Sequence, residues 1–164
     1  MRIGVMGDTH GDFFSVRQAV ARAVLQFGRI DLWLHTGDFC RDAQFLSVFS
    51  EIPVIMVAGN CDGRAAAKPD EFVEWERFNL WLTHGHRQGV KQDLHELEVW
   101  ALRYEVDAVI FGHTHQPLAE TQSGILFFNP GSASMPRRGK NRTFGVLELF
   151  EQPRKILPHL ISLS

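Results

Sequence analysis

Cysteine is scarce: Cys40 and Cys61 are the two in 164 residues. They build no disulfide framework, which excludes the stapled secreted scaffolds and points to a reducing compartment. Long apolar runs are missing as well. The apolar stretch at residues 3–6 is broken by Gly7 and Asp8, too soon for a signal peptide. Nowhere does an apolar run reach the roughly 20 residues that cross a bilayer, so no membrane contact is expected and the cytoplasm is the expected compartment. Neither sign of charge is in excess. Lys and Arg number 17 against 19 Asp and Glu, a formal net charge of −2. That balance gives no basis for sequence-blind binding to nucleic acid or to an anionic membrane. The densest basic run is Arg137, Arg138, Lys140 and Arg142, and such a run reads first as a solvated loop. Repeats, low-complexity tracts and domain-separating linkers are also lacking.

What remains is an ordinary globular composition, 45% hydrophobic and 22% charged. The length fits one domain over residues 1–164, which at this size buries roughly 70% of its unfolded surface. One unit recurs along it: a short β-rich apolar run followed at once by Gly, Asp, Asn or His. Residues 2–6 run into Gly7-Asp8-Thr9-His10, and residues 30–34 into His35-Thr36-Gly37-Asp38. Residues 54–57 lead to Ala58-Gly59-Asn60-Cys61-Asp62, residues 78–82 to Thr83-His84-Gly85-His86, and residues 108–111 to Gly112-His113-Thr114-His115. Runs of this length, rich in Val and Ile, suit strands buried on both faces.

Helices are expected between them. Over residues 12–27, Phe13, Val16, Val20, Val24 and Phe27 recur at steps of three and four before Gly28. Residues 42–50 and 92–104 are two further candidates. Strand, helix, strand, helix, strand reads as an α/β layer with some parallel pairing. Residues 72–75, 125–128, 143–150 and 156–163 lack intervening helices and predict a hairpin-rich antiparallel portion. Two facing sheets flanked by helices accommodate both halves.

In α/β sheets the ligand crevice lies beyond the carboxyl ends of the strands. Five strand candidates here deliver potential metal ligands at that end. A lone histidine means little, but His10, His84, His86, His113 and His115 all fall just beyond strands. Imidazole nitrogens mixed with carboxylate and amide oxygens favour Mn²⁺, Fe²⁺ or Zn²⁺, with Ni²⁺ a further alternative, over a structural zinc. The Asp-x-His and His-x-His pairs suit a chelate, because residues two apart in an extended segment project to the same side. Glycines beside the ligands allow tight turns or close backbone approach. The set Asp8, His10, Asp38, Asn60, His84, His113 and His115 is too large for one ion and fits two ions sharing a carboxylate. Two ions about 3.5–4 Å apart clamp the attacking and leaving oxygens of a phosphoryl displacement. Other dinuclear hydrolases use paired metals too, so spacing alone leaves the reaction open.

These five blocks in this order, followed by Asn129-Pro130-Gly131-Ser132, resemble the calcineurin-like metallophosphoesterase family, in particular its compact YfcE-like phosphodiesterase branch. The resemblance covers nearly the whole chain. It implies a four-layer α/β/β/α sandwich, two mixed sheets flanked by helices. It also implies that Asp8, His10 and His115 bind a first ion, that Asn60, His84 and His113 hold a second, and that Asp38 bridges them. A hydroxide between the ions would attack phosphorus in line, and the Asn60 amide would touch a phosphate oxygen. Many relatives carry His directly after the Asn; Cys61 stands there instead, read either as a small filler or, beside Asn60, as a catalytic candidate with Asn60 and His86, so leaving-group protonation would fall to His86 or to water, or an acidic leaving group would need neither.

Other residues read more plainly. His35 is expected as a buried histidine supporting the site by a hydrogen bond. Asp62 reads as fixing its own loop, and Asn129 with Ser132 as a turn bracing the His113–His115 loop. His95 and His159 carry no functional expectation, while Trp75 and Trp81 read as core before they read as a homodimer contact. The function expected is Mn²⁺-dependent hydrolysis of a small-molecule phosphodiester, with a phosphomonoesterase aided by Arg137 or Arg138 as one alternative. A non-catalytic scaffold of the same fold is the other. His10 and the complete ligand set weigh against it.

Overall fold

The computed structural model describes residues 1–63 and 66–163. Strand β1 (Arg2–Met6) leads through helix α1 (Phe13–Phe27) to β2 (Leu32–His35), and helix α2 (Cys40–Ser50) leads to β3 (Val54–Met56). Strands β4 (Asp70–Trp75) and β5 (Phe78–Thr83) form a hairpin, then helix α3 (His95–Tyr104) crosses to β6 (Ala108–Ile110). The rest is built without helices: β7 (Pro117–Gln122), β8 (Ile125–Pro130), β9 (Thr143–Glu151) and β10 (Arg154–Ser162) pair antiparallel as β7–β8 and β9–β10, while β8 also runs parallel to β6.

These strands make two five-stranded mixed sheets, in the orders β10-β9-β1-β2-β3 and β4-β5-β6-β8-β7. Their facing sides meet in one apolar layer. Ile3, Val5, Leu32, Leu34, Leu147 and Leu149 come from the first sheet; Leu80, Leu82, Ile110 and Phe128 come from the second. The alternate residues of the same strands point outward and are also apolar. Met6, Trp33, Phe144 and Val146 pack under α1 and α2, while Trp81, Val109 and Phe127 pack under α3. Strands apolar on both sides therefore need helices over both outer faces, and the four-layer α/β/β/α sandwich follows.

Helix α1 begins where the Asp12 carboxylate accepts the Ser15 N–H at 3.1 Å. Its buried face is Val16, Ala19, Val20 and Ala23, while Phe13 and Val24 stand largely in solvent. The stripe is thus turned toward the alanines, whose small side chains let the helix lie close to Trp33 and Val146. Helix α3 starts three residues later than its periodicity predicts, just after a turn in which Asp93 Oδ1 accepts the His95 N–H at 2.9 Å. Strand β7 carries almost no apolar alternation and has no strand signature in the sequence. It forms as an edge with Pro117 at its first position, where a missing N–H is tolerated.

The parallel pairs set the position of the site. Met6 lies beside His35 and Leu82 beside Ile110, so the ends of β1 and β2 are level, as are those of β5 and β6. The ladders continue into the loops: Asp8 N–H donates to the Gly37 carbonyl at 3.1 Å and Gly112 N–H to that of His84 at 3.2 Å. All five Gly/Asp/Asn/His loops consequently meet at one rim of the sandwich.

Candidate metal centre

The loops do not chelate in the manner an extended segment would. Asp8, His10, Asp38, His113 and His115 all have left-handed backbones, with φ of 50°, 48°, 55°, 67° and 58°. The loops after β1 and β6 are tight turns that each bring two of these side chains round to one side, the loop after β2 turns Asp38 alone, and each such residue costs about 1–2 kcal/mol against its right-handed form. Two glycines make the turns possible. Gly37 sits at φ 99°, and a Cβ on Gly59 would collide with the Asp38 carboxylate.

Two groups of side chains offer ligand atoms within 4.8 Å of one another. Asp8, His10, Asp38 and His115 form one, and Asp38, His84 and His113 form the other. Asp38 belongs to both: its Oδ2 is 3.9 Å from His10 Nε2 and its Oδ1 is 3.5 Å from His84 Nε2. Asn60 Oδ1 adds an amide oxygen 3.1 Å from His84 Nε2. Loops from five strand ends contribute to the two groups.

The chemistry of this donor set fits divalent cations. His84 Nδ1 lies 2.8 Å from the Thr36 carbonyl and His115 Nδ1 lies 2.6 Å from that of Met135. A carbonyl oxygen only accepts, so both Nδ1 atoms carry the proton and both Nε2 atoms present lone pairs. Those nitrogens face a carboxylate oxygen and further ring nitrogens. His115 Nε2 is 3.3 Å from His10 Nε2 and 3.4 Å from Asp8 Oδ1; His84 Nε2 is 3.2 Å from His113 Nδ1. Asp8 is fully buried, and its Oδ1 has no hydrogen-bond partner. Lone pairs gathered around a common space are stabilised by a cation there.

The electrostatics agree. Burial alone would raise the Asp38 carboxyl, but the Cys61 N–H at 2.9 Å and the His84 and His10 rings outweigh it and hold it below its ordinary value. Burial, then His84, then Lys91 push the His113 ring down to about 4, leaving it neutral and able to ligate. His115 is raised, chiefly by its contact with Asp8, against the opposing effects of burial and Arg137.

Cys61 is exposed, and burial together with Asp38 pushes its thiol up to about 11, so the sulfur stays protonated near neutrality. Both its backbone N–H, at 2.9 Å, and its thiol donate toward the Asp38 carboxylate. His86 opens a single 3-10 turn, His86–Gln88, with its ring 5.2 Å from that of His84 and 6.0 Å from that of His113. It forms one wall, with Asn60 and Arg87, of a cleft of about 680 Å³ beside the second group.

The supporting residues divide their work. His35 is buried against Thr9 Oγ1 at 3.1 Å and accepts the Gly37 N–H at Nδ1. Asp62 accepts the Cys40 and Gly59 N–H groups and fixes its loop. Asn129 donates to the Gly112 carbonyl at 2.9 Å and to Thr114 Oγ1 at 3.1 Å, which braces the His113–His115 loop. Ser132 acts elsewhere than expected: its hydroxyl donates to the Asp8 carbonyl at 2.7 Å and accepts the Met135 N–H. Thr36 and Met135 hold His84 and His115 through backbone carbonyls, which no side-chain pattern announces. Asp42, which accepts the Gly11 N–H at 2.8 Å, looked like an ordinary helix residue. In the basic run, Arg137 donates to the Thr114 carbonyl and Arg142 to Ser15, while Arg138 and Lys140 are exposed. Trp81 is buried core under α3, and Trp75 is half-buried against the layer between the two sheets.

A strained rim of Asp and His ligands on a four-layer α/β/β/α sandwich defines a class, the metal-dependent phosphoesterases. The chain belongs to the calcineurin-like phosphoesterase superfamily, whose domain description matches residues 1–152. Its relatives include a phosphodiesterase of Methanocaldococcus jannaschii, 31% identical over 150 residues, which are 80% of this chain and 83% of that one. Phosphodiesterase YfcE of Escherichia coli is 37% identical over 103 residues, 58% of this chain and 52% of its own. Among solved structures, a predicted phosphoesterase from Streptococcus pneumoniae superposes with a TM-score of 0.77 at 27% identity, covering 98% and 97% of the two chains. Vps29 from Entamoeba histolytica, solved with Zn²⁺, superposes with a TM-score of 0.74 at 24% identity over 100% of each chain, a likeness of fold.

Proposed function

We propose that the protein is a phosphodiesterase working with two divalent cations, most favourably Mn²⁺, on a small-molecule phosphate diester. The observation that carries the reading is the double membership of Asp38, whose two oxygens look toward two different ligand groups. In this reading Asp8, His10 and His115 hold one cation, Asn60, His84 and His113 the other, and Asp38 serves both. Bound there, the cations would supply activation of water and neutralisation of charge on the phosphoryl oxygens. Fe²⁺, Zn²⁺ and Ni²⁺ remain chemically compatible with the same nitrogen and oxygen donors.

The side chains supply the rest. The Thr36 and Met135 carbonyls orient His84 and His115 so that their Nε2 atoms point inward. Asn60 is exposed at the mouth of the cleft, where its amide NH₂ can donate to a phosphoryl oxygen. His86 borders the same cleft and is held toward its neutral form by burial and by His84. That favours it as a hydrogen-bonding partner of the departing oxygen over a permanently charged donor. The names of the relatives favour diester hydrolysis over a monoesterase. The complete ligand set favours catalysis over the scaffold alternative. The free thiols of Cys40 and Cys61 accord with the cytoplasm.

The test is hydrolysis of bis(p-nitrophenyl) phosphate beside p-nitrophenyl phosphate, with Mn²⁺ added to chelator-treated protein. Metal-dependent turnover with the diester ahead is expected. Faster monoester turnover would overturn the substrate choice, and no turnover of either would overturn the enzymatic reading.

A further inference from the structure

The residue after Asp38 is out of keeping with its position. Phe39 has a left-handed backbone, φ 73° and ψ 68°, and stands at the N-cap of α2. Glycine or asparagine suits that backbone, and a bulky side chain in it is an outlier. A helix N-cap favours Ser, Thr, Asp or Asn, whose side-chain oxygen accepts a free N–H, and Phe39 makes no such bond. Neither the turn nor the helix calls for an aromatic ring here.

The surroundings of the ring suggest what does. Phe39 is 37% exposed, and its centroid lies 5.2 Å from that of His10 at an interplanar angle of 62°, an edge-to-face contact. The ring passes beside Gly11, where a Cβ would come within 3.8 Å of it. Phe13 and Phe49 are exposed to a similar degree, but both rings pack on Phe45 between α1 and α2. Among the described residues, Phe39 has no second ring partner, and no other Phe, Tyr or Trp ring meets a ligand histidine. A strained residue with its ring half-free at the edge of the first ligand group points to a role in binding rather than in folding. An open aromatic face beside a polar site is a stacking surface for another planar ring.

We propose that Phe39 is a specificity-determining residue, which stacks against a planar aromatic group, as a nucleobase presents, in the arm of the diester that stays on phosphorus. The proposal rests on the diesterase reading above and deepens it to a substrate class. In that reading the departing oxygen lies by His86, beside the second ligand group. The side of the first group, where Phe39 stands against His10, is left to the other arm.

The test compares two chromogenic diesters with the Mn²⁺-loaded protein: thymidine 5′-(p-nitrophenyl phosphate) and its abasic counterpart, with hydrogen in place of thymine. Both release p-nitrophenolate from the same bond, so they differ only in the ring. The thymidine ester should show a KM lower by on the order of tenfold, the scale of one base stacked on an aromatic side chain. F39W should keep that ratio, and F39L should bring it close to one. F39G, whose backbone accepts the left-handed turn, should do the same while its Mn²⁺ content by elemental analysis matches the parent. Equal KM values for the two esters in the parent protein, or a ratio unchanged in F39L and F39G, would overturn the proposal. An unchanged ratio together with lost Mn²⁺ would make Phe39 a support for His10 instead. Calorimetric binding of thymidine 5′-monophosphate against its abasic counterpart gives an answer independent of turnover. Tighter binding of the nucleotide, lost in F39L, supports the stacking, and equal affinities overturn it. Absence of metal-dependent turnover on either ester and on bis(p-nitrophenyl) phosphate would instead sink the diesterase reading, leaving the binding result to decide the role of Phe39.

Discussion

Asp8 Oδ2 accepts the backbone N–H of His113 at 2.9 Å, tying the end of β1 to the end of β6 across the two sheets, while its Oδ1 is buried without a hydrogen bond. One oxygen closes the sandwich and the other faces the donors of the first ligand group. The two roles can be separated by substitution.

Asp8→Asn retains an oxygen for the His113 N–H and replaces the other with an NH₂ that cannot ligate. Its metal-free stability should stay within about 1 kcal/mol of the parent, while its affinity for the first cation falls. Asp8→Ala leaves the His113 N–H unpaired and should cost the metal-free protein about 1–3 kcal/mol. Urea denaturation of both variants in chelator, with metal content by elemental analysis, measures the two effects. Equal destabilisation of the two variants would show that the hydrogen bond does not matter.

Asp38→Asn tests the sharing of one carboxylate between two groups. Because Asp38 faces His10 on one side and His84 on the other, the variant should bind both equivalents of Mn²⁺ more weakly. His159→Ala is the control. That ring contacts Glu148 at 3.1 Å and the Phe27 ring, remote from the ligands in the fold, and its metal content should match the parent. Loss of a single equivalent in Asp38→Asn would mean that one ion alone depends on it, and an unchanged metal content that neither does.

The donors of this centre were legible in the sequence because each follows a strand whose apolar run is unmistakable. The strands 2–6 and 108–110 could be read to within a residue for the same reason. The conformation of the loops could not be read. The Asp-x-His and His-x-His spacing is compatible with an extended chelate, and only the three-dimensional turn gives Asp8, His10, His113 and His115 their positive φ values. The anchors of His84 and His115 are peptide carbonyls, which every residue possesses and no residue type signals. Strand β7 escaped because an edge strand with exposed Thr121 and Gln122 has no need of apolar alternation. The burial stripe of α1 was misjudged by about one residue, since small alanines count little in a periodicity dominated by Phe and Val.

His35 gives a pH prediction. Burial, more than any neighbouring charge, lowers its pKa from 6.5 to about 4. Between those values the unfolded chain takes up a proton that the folded chain refuses. Its contribution to stability is therefore intact above about pH 6.5 and declines as pH falls toward 4, by at most about 1.4 kcal/mol per unit. A His35→Gln variant lacks the titration, so metal-free melting curves at pH 7, 5.5 and 4.5 should lose less stability than the parent across the same interval. Parallel losses in both proteins would assign the acid sensitivity to other groups.

In the proposed reading, the strained loops make the fold depend on its cations. Five ligand residues sit in left-handed conformations, each disfavoured by about 1–2 kcal/mol, and their lone pairs crowd a common space. Cation binding opposes both costs in the folded chain and has no counterpart of similar geometry in the unfolded one. At a free Mn²⁺ concentration about 100 times the dissociation constant, the stabilisation is about 2.7 kcal/mol. A domain of this size converts that into a rise of roughly 5–10 °C in Tm. Chelator-treated protein should therefore melt that much lower, recover on titration with Mn²⁺, and respond far less to Mg²⁺, which favours oxygen over imidazole nitrogen. Asp38→Asn should show a muted response under the same titration. Superimposable melting curves for chelated and Mn²⁺-saturated parent protein would mean that these side chains hold no cation, and the strain at Asp8, His10, Asp38, His113 and His115 would need another cause.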